Sequence, residues 1–351
     1  MDLSIAAILA QDGITSGAIY ALLALALVLV FSVTRVIFIP QGEFVAYGAL
    51  TLAAMQAGHA PQTSWLLLAM GVLTFLYETV TVLRSAELRR TLGQRLAVLA
   101  GKYLVFPLAV HWVVQQYGAQ PLPMLAQVAL TLLIIIPLGP MLYRLAYQPL
   151  AEASTLVLLI VSVGVHFALV GLGLVMFGAE GSRTNPFSDA RFEVGALSIS
   201  GQSLWVVAVS ALLIGALYFY FERTLQGKAL RATAVNRLGA RLVGIGTTQA
   251  GRLSFTLAAA MGALCGILIA PLTTVYYESG FLVGLKGFVG AIVGGLVSYP
   301  VAALGALLVG LLESYSSFWA SAFKEVIVFT LIIPVLLWRS LTSKHVEEEE
   351  E

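Results

Sequence analysis

Apolar stretches long enough to cross a bilayer recur along this sequence, and they restrict its fold more than any other feature. The first runs from Ile5 to Phe31, where a helical span needs about 20 residues. Further runs follow at 64–83, 124–143, 155–177, 203–221, 253–270 and 301–318, with shorter ones at 103–116, taken together with the apolar residues before it, and 326–338. Only 11% of the 351 residues are charged, against roughly 25% in a soluble domain. The fold class is therefore all-α: a polytopic transmembrane helical bundle formed as a single domain over residues 1–344.

Two stretches interrupt the pattern. Val36 to Phe44 is built on Pro40 and Gly42, with Gln41 and Glu43 beside them, and the run after it, Phe44 to Ala57, is short for a span. Irregular backbone at membrane depth is tolerated against protein or a water-filled cavity. A plain turn at the membrane surface fits the residues as well. Phe288 to Val297 is likewise short, with glycines at 290, 294 and 295, and reads as a broken or re-entrant element. Counting both gives about eleven spans, or ten if a broken one turns back. Long apolar segments followed by short broken ones, at 13–54 and 262–296, form a weak internal echo of the kind that flanks a central pathway.

Charge sets the orientation. Fifteen of the nineteen Lys and Arg residues fall in segments that an N-outside, C-inside arrangement places in the cytoplasm. The loop from Arg84 to Lys102 carries five of them, and 222–252 is the densest basic stretch. Arg223, Lys228, Arg231, Arg237, Arg241 and Arg252 face a single acid, Glu222. Lys228 to Ile245 reads as one amphipathic helix, with Leu230, Ala234, Leu238, Ala240, Leu242 and Ile245 on one side and the arginines favouring the other. Such a helix either meets anionic headgroups or docks in a groove on a soluble partner. Gly178 to Gln202 is the longest external loop, with alternation at 192–200 that fits a hairpin. Residues 345–351 read as a disordered acidic tail.

Several segments resemble one family. Gly227 to Ile245, with Gly227, Arg231-Ala232, Ala234, Asn236-Arg237, Ala240 and Gly244-Ile245, is similar to the coupling loop of branched-chain amino-acid ABC transporter permeases of the LivH type. Gly42-Glu43-Phe44 matches the end of an Asn-Phe-Ala-His-Gly-Glu-Phe signature in that family, but Phe38 and Gln41 stand where the Asn and His would be. Tyr143 to Leu150 resembles an Ala-Tyr-Arg-Pro-Leu signature with Gln148 in place of the Arg. The glycine-rich 262–295, including Phe281 to Phe288, is similar to the segment before the final spans, whereas roughly 73–121 has no counterpart and reads as an inserted helical pair.

The resemblance implies a type II ABC importer permease in a bacterial inner membrane, carrying branched-chain amino acids or related small carboxylates and amides. Implied partners are a second permease subunit (a LivM-like chain or a second copy), two cytoplasmic ATP-binding subunits, an external binding protein and membrane lipid; no nucleic acid is expected. The loop residues just named would couple to the ATPase. Gln41, Gly42, Glu43, Phe44, Glu278, Lys286, Gly287 and Glu313 would line the pathway. A sugar or nucleoside permease shares the broad pattern, and Phe38 and Gln41 leave that alternative open.

The chemistry of the chain itself is sparse. No Gly-x-x-x-x-Gly-Lys-Ser/Thr loop occurs, so ATP and Mg are expected on a partner and no cofactor on this chain. Cys265 is the single cysteine, and the four histidines (59, 111, 166, 345) lack ligand spacing, so no metal site is expected. Ser162 and His166 share a helical face and leave an intramembrane enzyme as the rival class, with helix packing the blander role. Glu43, Glu78, Glu278, Lys286, Glu313, Lys324 and Glu325 lie in or beside apolar runs, where each needs a partner or a polar cavity.

Overall fold

The computed structural model describes residues 3–84, 92–194 and 197–342. The acidic tail at 345–351 and part of the basic loop before Lys102 lie outside them. Among the described residues nine helices are long and apolar enough to cross a membrane. In chain order α1 is Leu3–Thr34, α2 Gln41–Gln56 and α3 Thr63–Arg84. Next come α4 (Leu92–Ala100), α5 (Phe106–Tyr117), α6 (Met124–Ile135), α7 (Leu138–Leu142) and α8 (Thr155–Phe177). A hairpin, β1 Arg191–Val194 with β2 Leu197–Ser200, precedes α9 (Gly201–Arg223), and α10 (Leu225–Val235) and α11 (Arg237–Leu242) follow it. The chain closes with α12 (Thr247–Ile269), α13 (Ser279–Val293), α14 (Tyr299–Trp319), α15 (Lys324–Thr330) and α16 (Ile332–Thr342).

Besides those nine, the two expected broken elements correspond to short helices, α2 and α13, of 16 and 15 residues. The second short element lies earlier than the sequence led us to expect. It occupies Ser279–Val293 rather than 288–297, and the left-handed residues Gly295 and Leu296, at φ 63° and 58°, end it. Its start is set by tertiary contact: Gly280 and Gly284 lay the first turn directly on the backbone of Gly42.

The interior is built around α1, whose residues from Ile19 to Val30 are buried on every side. A helix apolar all round belongs inside a bundle. Antiparallel to it runs α14, so close that a Cβ on Gly310 would strike the backbone of Gly13 and Gly17, the small-residue packing that apolar bundles favour. Nearly all of α2 is buried too, with Gly48 on Ala263 and Gly266 on Val45 of α12. The outer faces of α8, α9 and α16 carry exposed Ile160, Phe167, Val175, Leu212, Phe219 and Leu337, as lipid contact requires.

Local chemistry explains the ends and irregularities. Ser154 and Ser200 cap α8 and α9, accepting from the amides of Val157 and Ser203. Pro107 lacks an N–H, and the helix widens into a π turn at Gly101–Val105 just before it, so α4 and α5 form one continuous path. Leu73, where an insertion was expected to start, lies in the middle of α3. The hairpin pairs Phe192 with Ile199 and Arg191 with Ser200, and it lies at the end of α9 opposite α10 and α11.

Candidate functional site

The break after α1 is a built feature. Arg35 takes a left-handed conformation at φ 61°, and its amide returns to Phe31 O at 2.8 Å, closing the helix. Val36 to Pro40 then carry the chain, buried for most of its length, to the start of α2. Phe38 anchors this stretch against Phe44, Tyr147 and Phe255, at ring-centroid distances of 5.9, 5.9 and 4.7 Å. This aromatic cluster fills the place where the family signature has its Asn.

Four pathway candidates open α2 and are held from three sides. Gln41 Nε2 donates to Ala258 O on α12 at 3.0 Å, leaving its Oε1 buried without a partner. Gly42 meets Gly280 and Gly284 of α13, backbone to backbone; any Cβ there would prevent the approach. Glu43 is 1% exposed, and its Oε1 shares a 2.7 Å hydrogen bond with His166 Nδ1 of α8. Phe44 packs beside Gly262. Between α2 and the start of α13 lies a cavity of about 160 Å³, lined by Val45, Thr273, Thr274, Ser279, Gly280 and Lys286 among others.

The remaining pathway candidates divide. Lys286 and Glu313 belong to one cluster: Nζ lies 2.5 Å from Glu313 Oε1 and 3.1 Å from Glu325 Oε1. Tyr20 OH donates to the other Glu313 oxygen at 2.6 Å. Gly287 packs on Leu23. Glu278 does not join them; it is exposed just ahead of α13, because the helix starts one residue later and turns away from it. A further buried network joins Glu78 of α3 to Arg144 and Arg252.

The basic loop departs from the expected single helix. Asn236 ends α10 and caps α11, its Oδ1 accepting from Gly239 N at 2.8 Å. The expected apolar face is divided as well. Leu230 and Ala240 are buried against the rest of the chain, while Val235, Leu238, Leu242 and Val243 project outward, Leu238 being 68% and Leu242 80% exposed. Gly227 is buried on the backbone of Tyr220 and Phe221. The arginines turn back: Arg231 pairs with Glu222, Arg237 donates to Ala151 O and Arg241 reaches Glu152. Ala232, Ala234 and Ile245 are half-buried, and Gly244 is exposed with φ 83°. Beside the loop a cavity of about 970 Å³ opens between α10, α12 and the π turn at Lys102 and Tyr103.

His166 is the functional candidate that sequence reasoning undervalued. Its helical neighbour Ser162 shares a hydrogen bond with Tyr147 OH at 3.2 Å, whereas His166 bonds Glu43, so the two do not form a nucleophile–base pair. The acid beside His166 comes from 123 residues away in the chain, a separation that leaves no local signal. Among the described residues no group of three or more His, Cys, Asp or Glu side chains could hold a metal ion.

Comparison with known proteins bears on these features. A family model described as branched-chain amino acid transport system / permease component matches residues 9–336. The high-affinity branched-chain amino acid transport system permease protein BraD of Pseudomonas aeruginosa is 28% identical over 248 residues, covering 69% of this chain and 81% of the relative. Its counterpart LivH of Salmonella typhimurium is 26% identical over 340 residues, with 93% and 91% covered. LivH of Escherichia coli is 30% identical over 203 residues, 55% of this chain and 65% of the relative. No solved structure matches the chain.

Proposed function

The chain belongs to the family of branched-chain amino acid transport system permease components, and from that premise we propose how it works and what it carries. It is a membrane-spanning transport subunit and not an enzyme, as its relatives are. The substrate is a branched-chain amino acid or a close relative, delivered by an external binding protein and passed to the cytoplasm of a bacterial cell through the inner membrane. Two ATP-binding subunits drive it from the cytoplasmic side, with ATP and Mg bound there. A second permease chain, a LivM-like subunit or a second copy, completes the membrane part. The N-terminus is outside and the C-terminus inside, which puts α10 and α11 in the cytoplasm and the hairpin outside. The described parts of 73–121, in α3, α4 and α5, are an added helical layer beside the basic loop.

One observation carries the coupling role. Val235, Leu238, Leu242 and Val243 stand out from the loop on two short helices tied down by Thr224 and Asn236 caps, while the surrounding arginines are occupied with their own chain. An apolar knob on a braced support fits a groove in a soluble partner better than it fits a charged headgroup layer. Closure of the ATPases would push this knob and, through α10 and α12, move the helices around the start of α2.

Leu238→Glu with Leu242→Glu tests it. Both side chains are exposed, so folded yield and melting temperature should stay at wild-type values. Co-purification of the ATP-binding subunits, and uptake with it, should fall at least about tenfold, the loss of a central apolar contact at an interface. Undiminished recovery of the ATPases would sink the coupling role of this surface.

A further inference from the structure

The acid at the break is held incompletely. Glu43 is almost wholly buried, and a carboxylate removed from water needs partners for its oxygens. Oε1 has one in His166, while Oε2 has none. Beside the residue lies a cavity of about 10 Å³ walled by Tyr47, Met70, Leu138, Leu142 and Leu169, room for about one water. The imidazole lies on the ring of Phe281 at 4.7 Å, and Phe281 follows Gly280, which touches Gly42. Three elements, α2, α8 and α13, thus converge on a single pair of side chains.

We propose that Glu43 and His166 form a latch across the pathway, in which the imidazole occupies the carboxylate that receives the ammonium group of the substrate. The inference rests on the reading that this chain carries amino acids. Imidazole offers one N–H in this position, whereas an ammonium has three donors and can satisfy both carboxylate oxygens. The latch is therefore a weaker partner than the ligand it gives way to. A molecule of the same shape without the ammonium has nothing to offer Glu43 and leaves the latch closed. Glu43 is the binding residue in this scheme, and His166 is a positioning residue that keeps the buried carboxyl from standing without a partner in the empty site.

The experiment uses the complete transporter, with all its subunits, in sealed vesicles, and two probes: leucine and 4-methylpentanoate, which is leucine with hydrogen in place of the ammonium. Wild type should take up leucine and reject the analogue. Glu43→Gln should lower leucine uptake per folded molecule by about tenfold to a hundredfold, the range for a hydrogen bond to a charged group, and erase the discrimination. His166→Gln keeps a donor but removes the imidazole, and the KM for leucine should fall about threefold or more with kcat changing less. A readout on the unaltered protein covers variants that do not fold. During turnover leucine should raise carbethoxylation of His166, mapped by mass spectrometry, and the analogue should not.

The outcomes separate cleanly. Wild type that imports leucine, with Glu43→Gln discriminating as before, overturns the latch alone. Uptake and melting temperature falling in proportion, with KM unchanged, reduces the pair to a helix tie and also overturns it. Equal His166 modification with and without leucine does the same. Wild type that imports neither leucine nor any other amino acid removes the transport reading and the latch together.

Discussion

Glu78 should be among the most costly single positions in the molecule to neutralise. Its carboxylate accepts from Arg144 Nε at 2.7 Å and Nη2 at 2.9 Å, and from Arg252 Nη2 at 2.8 Å. The side chains of Glu78 and Arg144 are 11% and 9% exposed, and that of Arg252 is 29% exposed. Removing one partner from a buried pair costs about 3–5 kcal/mol, because the other charge stays behind without compensation. Arg252 has water within reach, so the lower end applies: Glu78→Gln should cost about 3 kcal/mol, roughly a hundredfold in the folded ratio. The assay is a reversible unfolding titration of the purified protein in mixed micelles. Glu78→Met with Arg144→Met should cost less than the sum of the two single changes, since no uncompensated charge remains at that pair. A Glu78→Gln variant within about 0.5 kcal/mol of wild type, or a double variant that is strictly additive, would refute the reasoning.

Two further expectations follow from packing and topology. Gly310→Ala places a methyl against the backbone of Gly13 and Gly17 and should cost about 1–3 kcal/mol. Gly164→Ala has open space around it on α8 and should be neutral or stabilising by up to about 1 kcal/mol; equal melting temperatures for the two would show that the α1–α14 contact is looser than described. Cysteines replacing Ala190 and Val243, both exposed, should react with an impermeant thiol reagent from opposite sides of the membrane. The native Cys265 is fully buried and should stay silent, and labelling of both new sites from one side would overturn the proposed orientation.

What the sequence disclosed follows the range of the forces involved. Ile5 to Phe31 announces a span because apolar length is a local property. The break at Pro40 and Gly42 is just as legible, since proline and glycine act on their own backbone. Asn236 carried a signal of its own: a capping residue in the middle of a basic helix pattern marks two helices, and the outward turn of Leu238 and Leu242 follows from that division. The start of α13 was not legible, because it depends on Gly280 meeting Gly42 across the bundle. Nor were the partners of the buried charges. Composition demands that Glu43, Glu78 and Lys286 find company, but the identity of His166, Arg144 and Glu313 is a matter of three-dimensional proximity. Glu278, next to an apolar run, needed no partner because the fold left it outside.

The glycine seam between α2 and α13 has a mechanical consequence. Where two helices meet through side chains, each step of relative motion requires knobs to climb out of holes, and packed interfaces therefore hold discrete positions. At Gly42, Gly280 and Gly284 there are no knobs, and the two short helices can shear along one another with little to obstruct them. A single methyl at Gly280 would act as a wedge against the Gly42 carbonyl. Such a variant, if it folds, is a handle for arresting the molecule in whatever arrangement it adopts once this seam has parted.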